Sequence, residues 1–341
     1  MKQKIIIAVF LLVTPLFYAG YYLSYNMWDH ANYENRNFVT FTDVKQASFV
    51  EKTSTIDDFV NDTIPFKNEL TAFNAACNMK LFGVIQSDKV LLGKDGWLFH
   101  KNVDDSKSID DYQGLNHYTQ EEMQTITEKL ALLNTILEQK EIEFRVIIAP
   151  NKEQVYNRYM PDSIPVLDIS KTSQLAQYIN SNSDVKLVYP MEYFRDLSKD
   201  EHIYYKYDTH WNNLGALKGI QLILDGFENA EIVVEDKAPL MDLAYVSSIY
   251  PYVQPDEYYA VVMDGVEGKE NLYLLHDSFG DMMIPILENR YDVQDATFAY
   301  FNQFNLPNNT DVFVLELNER YLYRLFTTID TIIVSAQQIE K

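Results

Sequence analysis

Asp208 stands two residues before His210 in Tyr-Asp-Thr-His-Trp-Asn at positions 207 to 212, and Ser278 lies in Leu-Leu-His-Asp-Ser-Phe-Gly at 274 to 280. A serine hydroxyl attacks only when a base takes its proton, and a histidine serves as that base when an acceptor holds its other nitrogen in the right tautomer. Ser278, His210 and Asp208 are these three types, so they suggest nucleophile, base and orienter of an acyl-transfer site. Taken singly, an Asp-x-His pair is usually a surface hydrogen bond and an Asp-Ser after a strand is usually a cap. What favours chemistry is that both stretches fall at expected element ends. A rival set, His202, Asp208, His210, His276 and Asp277, has the ligand types that suit zinc or manganese. That set leaves Ser278 without a role and has no compact helical ligand motif, so no metal and no cofactor are expected.

These loops need a frame, and the pattern around them alternates. Thr119 and Glu122 make a capping box before Met123, Ile126, Leu130, Leu133 and Leu137, which predicts a helix ending near Lys140. Apolar strands are expected at 144–149, 185–189, 272–275 and 312–317, with helices at 170–181, 213–227 and 281–289 between them. Strands separated by helices predict an α/β fold with a parallel sheet covered on both faces. Ligands on such sheets sit beyond the carboxyl ends of the strands, where Asn151, Lys152 and Ser278 fall. The N–H of Ser278, near the start of the 281–289 helix, is an expected oxyanion donor. Residues 228–270 read as irregular, and Trp211 reads as core.

Before this main domain (89–341), residues 26–88 read as a stalk or helical cap broken at Pro65. There Leu70, Phe73, Cys77 and Leu81 recur at helical spacing, which predicts a buried stripe. Lys2 and Lys4 precede an apolar run from Ile5 to Leu23, about 28 Å of helix, enough to cross a bilayer. Tyr18, Tyr21, Tyr22, Tyr25 and Trp28 crowd its far end like an interfacial belt. The expectation is a retained transmembrane anchor in residues 1–25, with a cleaved signal peptide as the alternative, a cytoplasmic N-terminus and an extracytoplasmic main domain. A net charge of -22, with no basic run, argues against a nucleic-acid surface. Cys77 is the single cysteine, which excludes an intrachain disulfide and a thiolate cluster.

Five stretches also resemble one family in order: Gly-Lys-Asp-Gly-Trp-Leu-Phe (93–99), Ala-Pro-Asn-Lys-Glu-Gln-Val-Tyr (149–156), 207–212, 276–280 and Glu-Leu-Asn-Glu-Arg-Tyr-Leu (316–322). The chain is similar to AlgX/AlgJ-type proteins and their DHHW relatives over roughly residues 30 to 330, including Glu-Asn-Arg at 34–36. The resemblance implies an SGNH-hydrolase-like fold and O-acetylation of an exported or cell-surface polysaccharide. It implies Ser278 as the acyl-accepting nucleophile, His210 as base and Asp208 as orienter, with acid and base preceding the serine. Asn151, Lys152 and Tyr156 match motif positions assigned to the substrate or oxyanion side. It further implies a multi-spanning membrane acyltransferase partner that supplies acetyl groups. Esterase activity and a non-catalytic polysaccharide-binding role are the alternatives. His276 stands where the family often has glycine, and Glu316 with Arg320 reads as a structural ion pair.

Overall fold

The computed structural model describes residues 2–28, 37–102, 107–298 and 304–340. The Glu-Asn-Arg stretch at 34–36 lies outside the described residues. Two compact units are present: Met1–Ser87 with Ala244–Val253, and Asp88–Leu243 with Gln254–Lys341.

In the first unit, helices cover Lys2–Leu23, Lys52–Asp62 and Lys67–Cys77. The stripe expected around Cys77 is not buried. Leu70, Phe73 and Leu81 are exposed, Cys77 is half-buried, and the residues turned inward are Ala72 and Ala76. Small side chains permit the close contact here, and the large ones point away from it. Among the described residues no helix is long and apolar enough to cross a membrane. The expected transmembrane helix is therefore not found. Lys2–Leu23 is helical, but the side chains of Ile5 and Ala8, which belong to the apolar run, lie outside the described residues.

Among the described residues the second unit is organised on nine strands: β1 (Val90–Leu92), β2 (Leu98–His100), β3 (Glu143–Ala149), β4 (Leu187–Val188), β5 (Glu231–Glu235), β6 (Tyr258–Val262), β7 (Glu270–His276), β8 (Tyr291–Thr297) and β9 (Val312–Asn318). Five form a parallel sheet in the order β4-β3-β9-β7-β8. β9 is buried along its whole length, as a strand covered on both faces must be. Alternation along the strands divides the core. Phe144, Val146, Ile148, Phe313 and Leu315 pack with Leu130, Leu133 and Ile329 on one face. Ile147, Ala149, Leu272, Leu274 and Val314 pack with Trp211, Ile220 and Phe279 on the other. The expected two-sided α/β sheet is thus the observed one.

Helix Gln120–Gln139 opens on the expected capping box, Thr119 Oγ1 accepting from Glu122 N–H and Glu122 accepting from Thr119 N–H. Three expectations are corrected. The helix from Asn213 stops at Gln221 instead of 227, because Leu222 and Ile223 tighten into turns. The 281–289 helix is only a turn at Gly280–Met282 and a short helix at Ile284–Leu287, since Pro285 has no N–H and is tolerated only near a helix start. Residues 228–270 contain the antiparallel pair β5–β6, whose half-exposed strands lack clean alternation.

Candidate active site

The loop 203–212 folds back on itself as a tight hairpin. Tyr204 bridges Trp211, Tyr205 N–H donates to His210 O, and Asn212 N–H donates to Ile203 O. Asn212 then caps the following helix, accepting from Gly215 N–H at 3.0 Å. Gly215 lies so close to the hairpin that a Cβ there would sit 2.3 Å from Ile203 O. Lys152, at the carboxyl end of β3 and 2% exposed, supports the loop from beneath. Its ammonium donates to the carbonyls of Asp208 (2.5 Å), Tyr205 (3.1 Å) and Lys206 (3.2 Å). Tyr156 is stacked on Trp97 with ring centroids 4.3 Å apart, and its hydroxyl accepts from Ile203 N–H at 3.0 Å.

On this loop Asp208 Oδ1 accepts from His210 Nδ1 at 2.6 Å and from His210 N–H at 2.9 Å. The proton on Nδ1 leaves Nε2 as an acceptor, and Ser278 Oγ lies 2.8 Å from it. The structure therefore brings Asp208, His210 and Ser278 into one chain of hydrogen bonds. Ser278 follows β7 and is held by its neighbours. Phe279 N–H donates to Asp277 Oδ1 (2.9 Å), Asn318 N–H donates to Asp277 Oδ2 (2.7 Å), and Trp211 Nε1 donates to Phe279 O (2.9 Å). The last of these ties the turn at Ser278 to the loop that carries His210. Among the described residues the N–H of Ser278 has no hydrogen-bond partner, while that of Phe279 is taken by Asp277.

Asp242 completes the cluster and was missed in the sequence, because 228–270 offered no periodicity from which to place it. Its N–H donates to Asp208 Oδ2 at 2.7 Å, and its carboxylate accepts from Thr209 N–H (2.9 Å) and Thr209 Oγ1 (2.8 Å). Burial opposes a charge on His210, but the hydrogen bond and charge of Asp208, with the charge of Asp242, raise its pKa overall. Asp208 is held below the usual carboxylate range: burial works against its charge, and the bond to His210 prevails. Asp242 is pushed up to about 6, by burial first and by Asp208 second. Replacing Asp242 by Asn keeps an acceptor for Thr209 N–H and removes one charge beside His210. The acid limb of the pH–rate profile should then move to lower pH, with kcat at its plateau changed less than about tenfold. An unmoved acid limb in Asp242→Asn would show that this charge does not act on the base.

Of the residues expected on the substrate side, Lys152 and Tyr156 are bonded within the protein as described, and Asn151 is buried with no partner for its Nδ2. The expected Glu316–Arg320 ion pair does not form. Glu316 accepts from Asp277 N–H at 3.2 Å, and burial together with the charge of Asp277 pushes its carboxyl well above the usual range. Arg320 instead lies over the Phe279 ring, 5.7 Å from its centroid, with a buried and unpartnered Nε. The rival ligand set is not gathered: His202 faces Asp256 and His276 faces Asp295, while Asp208, His210 and Asp242 are the acid and imidazole groups that converge.

The family described as SGNH hydrolase-like domain, acetyltransferase AlgX, matches residues 90–234. The resemblance to AlgX/AlgJ-type proteins is shown by this match, which includes Asp208 and His210 and ends before Ser278. No curated protein matches the chain. The structure of Pseudomonas aeruginosa AlgX is 16% identical with a TM-score of 0.53, covering 73% of this chain and 66% of that one. The O-acetyltransferase domain of Pseudomonas putida AlgJ is 19% identical with a TM-score of 0.46, covering 71% and 99%. Bacillus cereus PatB1 with a sulfonyl adduct is 16% identical with a TM-score of 0.45, covering 68% and 97%. Of these three, the AlgX structure bears on the fold, and at such identity on the fold alone.

Proposed function

From the shared SGNH hydrolase-like, AlgX-type domain at residues 90–234, we propose that this chain is an O-acetyltransferase that moves an acetyl group through a serine ester to a polysaccharide hydroxyl. The observation that carries the reading is the unbroken path from Asp208 through His210 to Ser278, with contacts of 2.6 and 2.8 Å.

In this mechanism His210 Nε2 takes the Ser278 proton as Oγ attacks the acetyl carbonyl. The developing oxyanion meets the unpartnered N–H of Ser278. The imidazolium, oriented and stabilised by Asp208, returns the proton to the leaving oxygen, and the acetyl remains on Oγ. An acceptor hydroxyl then gives its proton to His210 and attacks the ester, releasing Ser278. Water in place of the sugar gives hydrolysis by the same steps.

The reading includes an extracytoplasmic site on a membrane-anchored chain and a multi-spanning membrane partner that delivers acetyl groups. These parts rest on the apolar run at 5–23 and the family resemblance. The test uses the full-length chain, first fractionated and then incubated with a chromogenic acetyl ester. Membrane recovery, ester turnover and a +42 Da adduct (about the mass of one acetyl group) lost in Ser278→Ala are expected. An equal adduct on wild type and Ser278→Ala would refute the serine ester, and recovery in the soluble fraction would remove the anchor.

A further inference from the structure

His276 occupies a position that the acyl-transfer steps leave unused. It is the last residue of β7, wholly buried, two residues before the nucleophile. Nδ1 lies 2.6 Å from Asp277 O and Nε2 lies 3.3 Å from Asp295 Oδ2 on β8. Both atoms facing the ring are acceptors, and at 2.6 Å the carbonyl of Asp277 takes an N–H from Nδ1. Acidic side chains stand around the ring. Asp295 lies on β8, and Asp281, in the turn after Ser278, approaches Nδ1 at 3.7 Å. Asp277 is adjacent in the chain, and Glu316 on β9 meets Asp277 N–H. Gly280 supplies a second observation. A Cβ at that position would lie 2.4 Å from His276 Cβ and 2.6 Å from Nδ1, so the ring fills the space that a side chain at 280 would need.

We propose that His276 is a positioning residue for Ser278: its Nδ1–H donates to the carbonyl of Asp277 while Nε2 faces Asp295 on β8, and the ring so held fixes the turn that presents the nucleophile. The same carbonyl also accepts from Gly280 N–H at 3.0 Å, so the ring secures the point on which the turn closes. The inference rests on Ser278 being the nucleophile. Displacing a reacting atom by about 1 Å can cost 10²-fold in rate.

The test combines two readouts on the full chain. The first is the imidazole nitrogen NMR signals of His276, assigned by their loss in His276→Leu. They should report a proton on Nδ1, whatever the protein's activity. The second is acetyl-ester kinetics. His276→Leu should lower kcat about 10²-fold with KM within twofold. His276→Asn, whose amide can still donate to Asp277 O, should recover part of that loss. Asp295→Asn should lower kcat in the same direction, and circular dichroism should match wild type in each variant. An Nδ1 without a proton in an active wild type, or wild-type kcat in His276→Leu, overturns the inference. A wild type that carries the Nδ1 proton yet neither turns over esters nor labels at Ser278 instead defeats the acyl-enzyme reading on which it rests.

Discussion

His210→Ala is expected to lower kcat for acetyl-ester turnover by about 10⁴-fold or more while the fold persists. The imidazole is the group that meets Ser278 Oγ, at 2.8 Å, and among the described residues no other titratable side chain is hydrogen-bonded to that hydroxyl. Asp208→Asn should fall nearly as far, by about 10³- to 10⁴-fold, without removing the base. Asp208 Oδ1 accepts from both Nδ1 and the backbone N–H of His210. An amide that turns its NH₂ toward Nδ1 would leave the Nε2 tautomer protonated and unable to accept from serine. KM should change little in either variant. Because the three residues act as a unit, the double variant Ser278→Ala/His210→Ala should be about as slow as either single one. Purified variants assayed by initial rates, with thermal melts beside them, decide the matter. If the double variant loses the product of the two single factors, the residues act independently and the relay is wrong.

Lys152→Met should destabilise the protein by about 2 kcal/mol or more: of its three acceptor carbonyls that of Lys206 also accepts from Leu98 N–H, but those of Tyr205 and Asp208 lose their donor, and each unsatisfied polar group costs about 1–3 kcal/mol. For a chain of this size that is a melting-temperature drop of about 3 °C. Methionine matches the volume of the stem, so the loss belongs to the ammonium, which also lies 5.7 and 5.4 Å from the ring centroids of Trp97 and Phe99. Activity should fall as well, because the carbonyl of Asp208 is among the three. A second readout comes from pH. Burial pulls Lys152 from 10.5 to about 8, against the opposing charges of Asp242 and Asp208. Between those values the unfolded chain binds more protons than the folded one, so wild-type stability should rise with pH from about 8 to 10.5. Below about 8 both states hold the proton and this contribution is flat. The rise should be missing in Lys152→Met. Wild-type melting and wild-type kcat in that variant would show that the hairpin stands without its lysine.

How much of this was legible beforehand depended on whether a residue's role was local. The capping box at Thr119, the central strands and the helix start at Asn212 follow from short-range rules, and they appear where the pattern put them. Ser278, His210 and Asp208 were legible because their chemistry needs those side-chain types together. Asp242 was not, because its contribution is a backbone N–H and a carboxylate brought in from a segment without periodicity. Strand β8 was also missed: Tyr291–Thr297 is a half-exposed edge strand with polar residues and no apolar run. Arg320 was misread as the ion-pair partner of Glu316, whereas Glu316 is directed to Asp277, just beyond the end of the neighbouring strand β7. The stripe at Leu70 and Phe73 had the right spacing for burial, yet it is the alanines at 72 and 76 that are covered.

Strand β9, the middle of the sheet, pairs with β3 across a long interval, Glu143 opposite Val312, and with β7, Leu272 opposite Val312. Closing so long a loop incurs its entropic penalty before the pairing repays it. Until β9 inserts, the strand ends that carry Lys152 and Ser278 have no common neighbour, and Asp277 lacks the Asn318 N–H that holds it. The proposed nucleophile Ser278 should therefore reach its place late, after the chain through residue 318 has been made. A nascent or partly unfolded chain would carry all three residues of the relay and remain chemically silent.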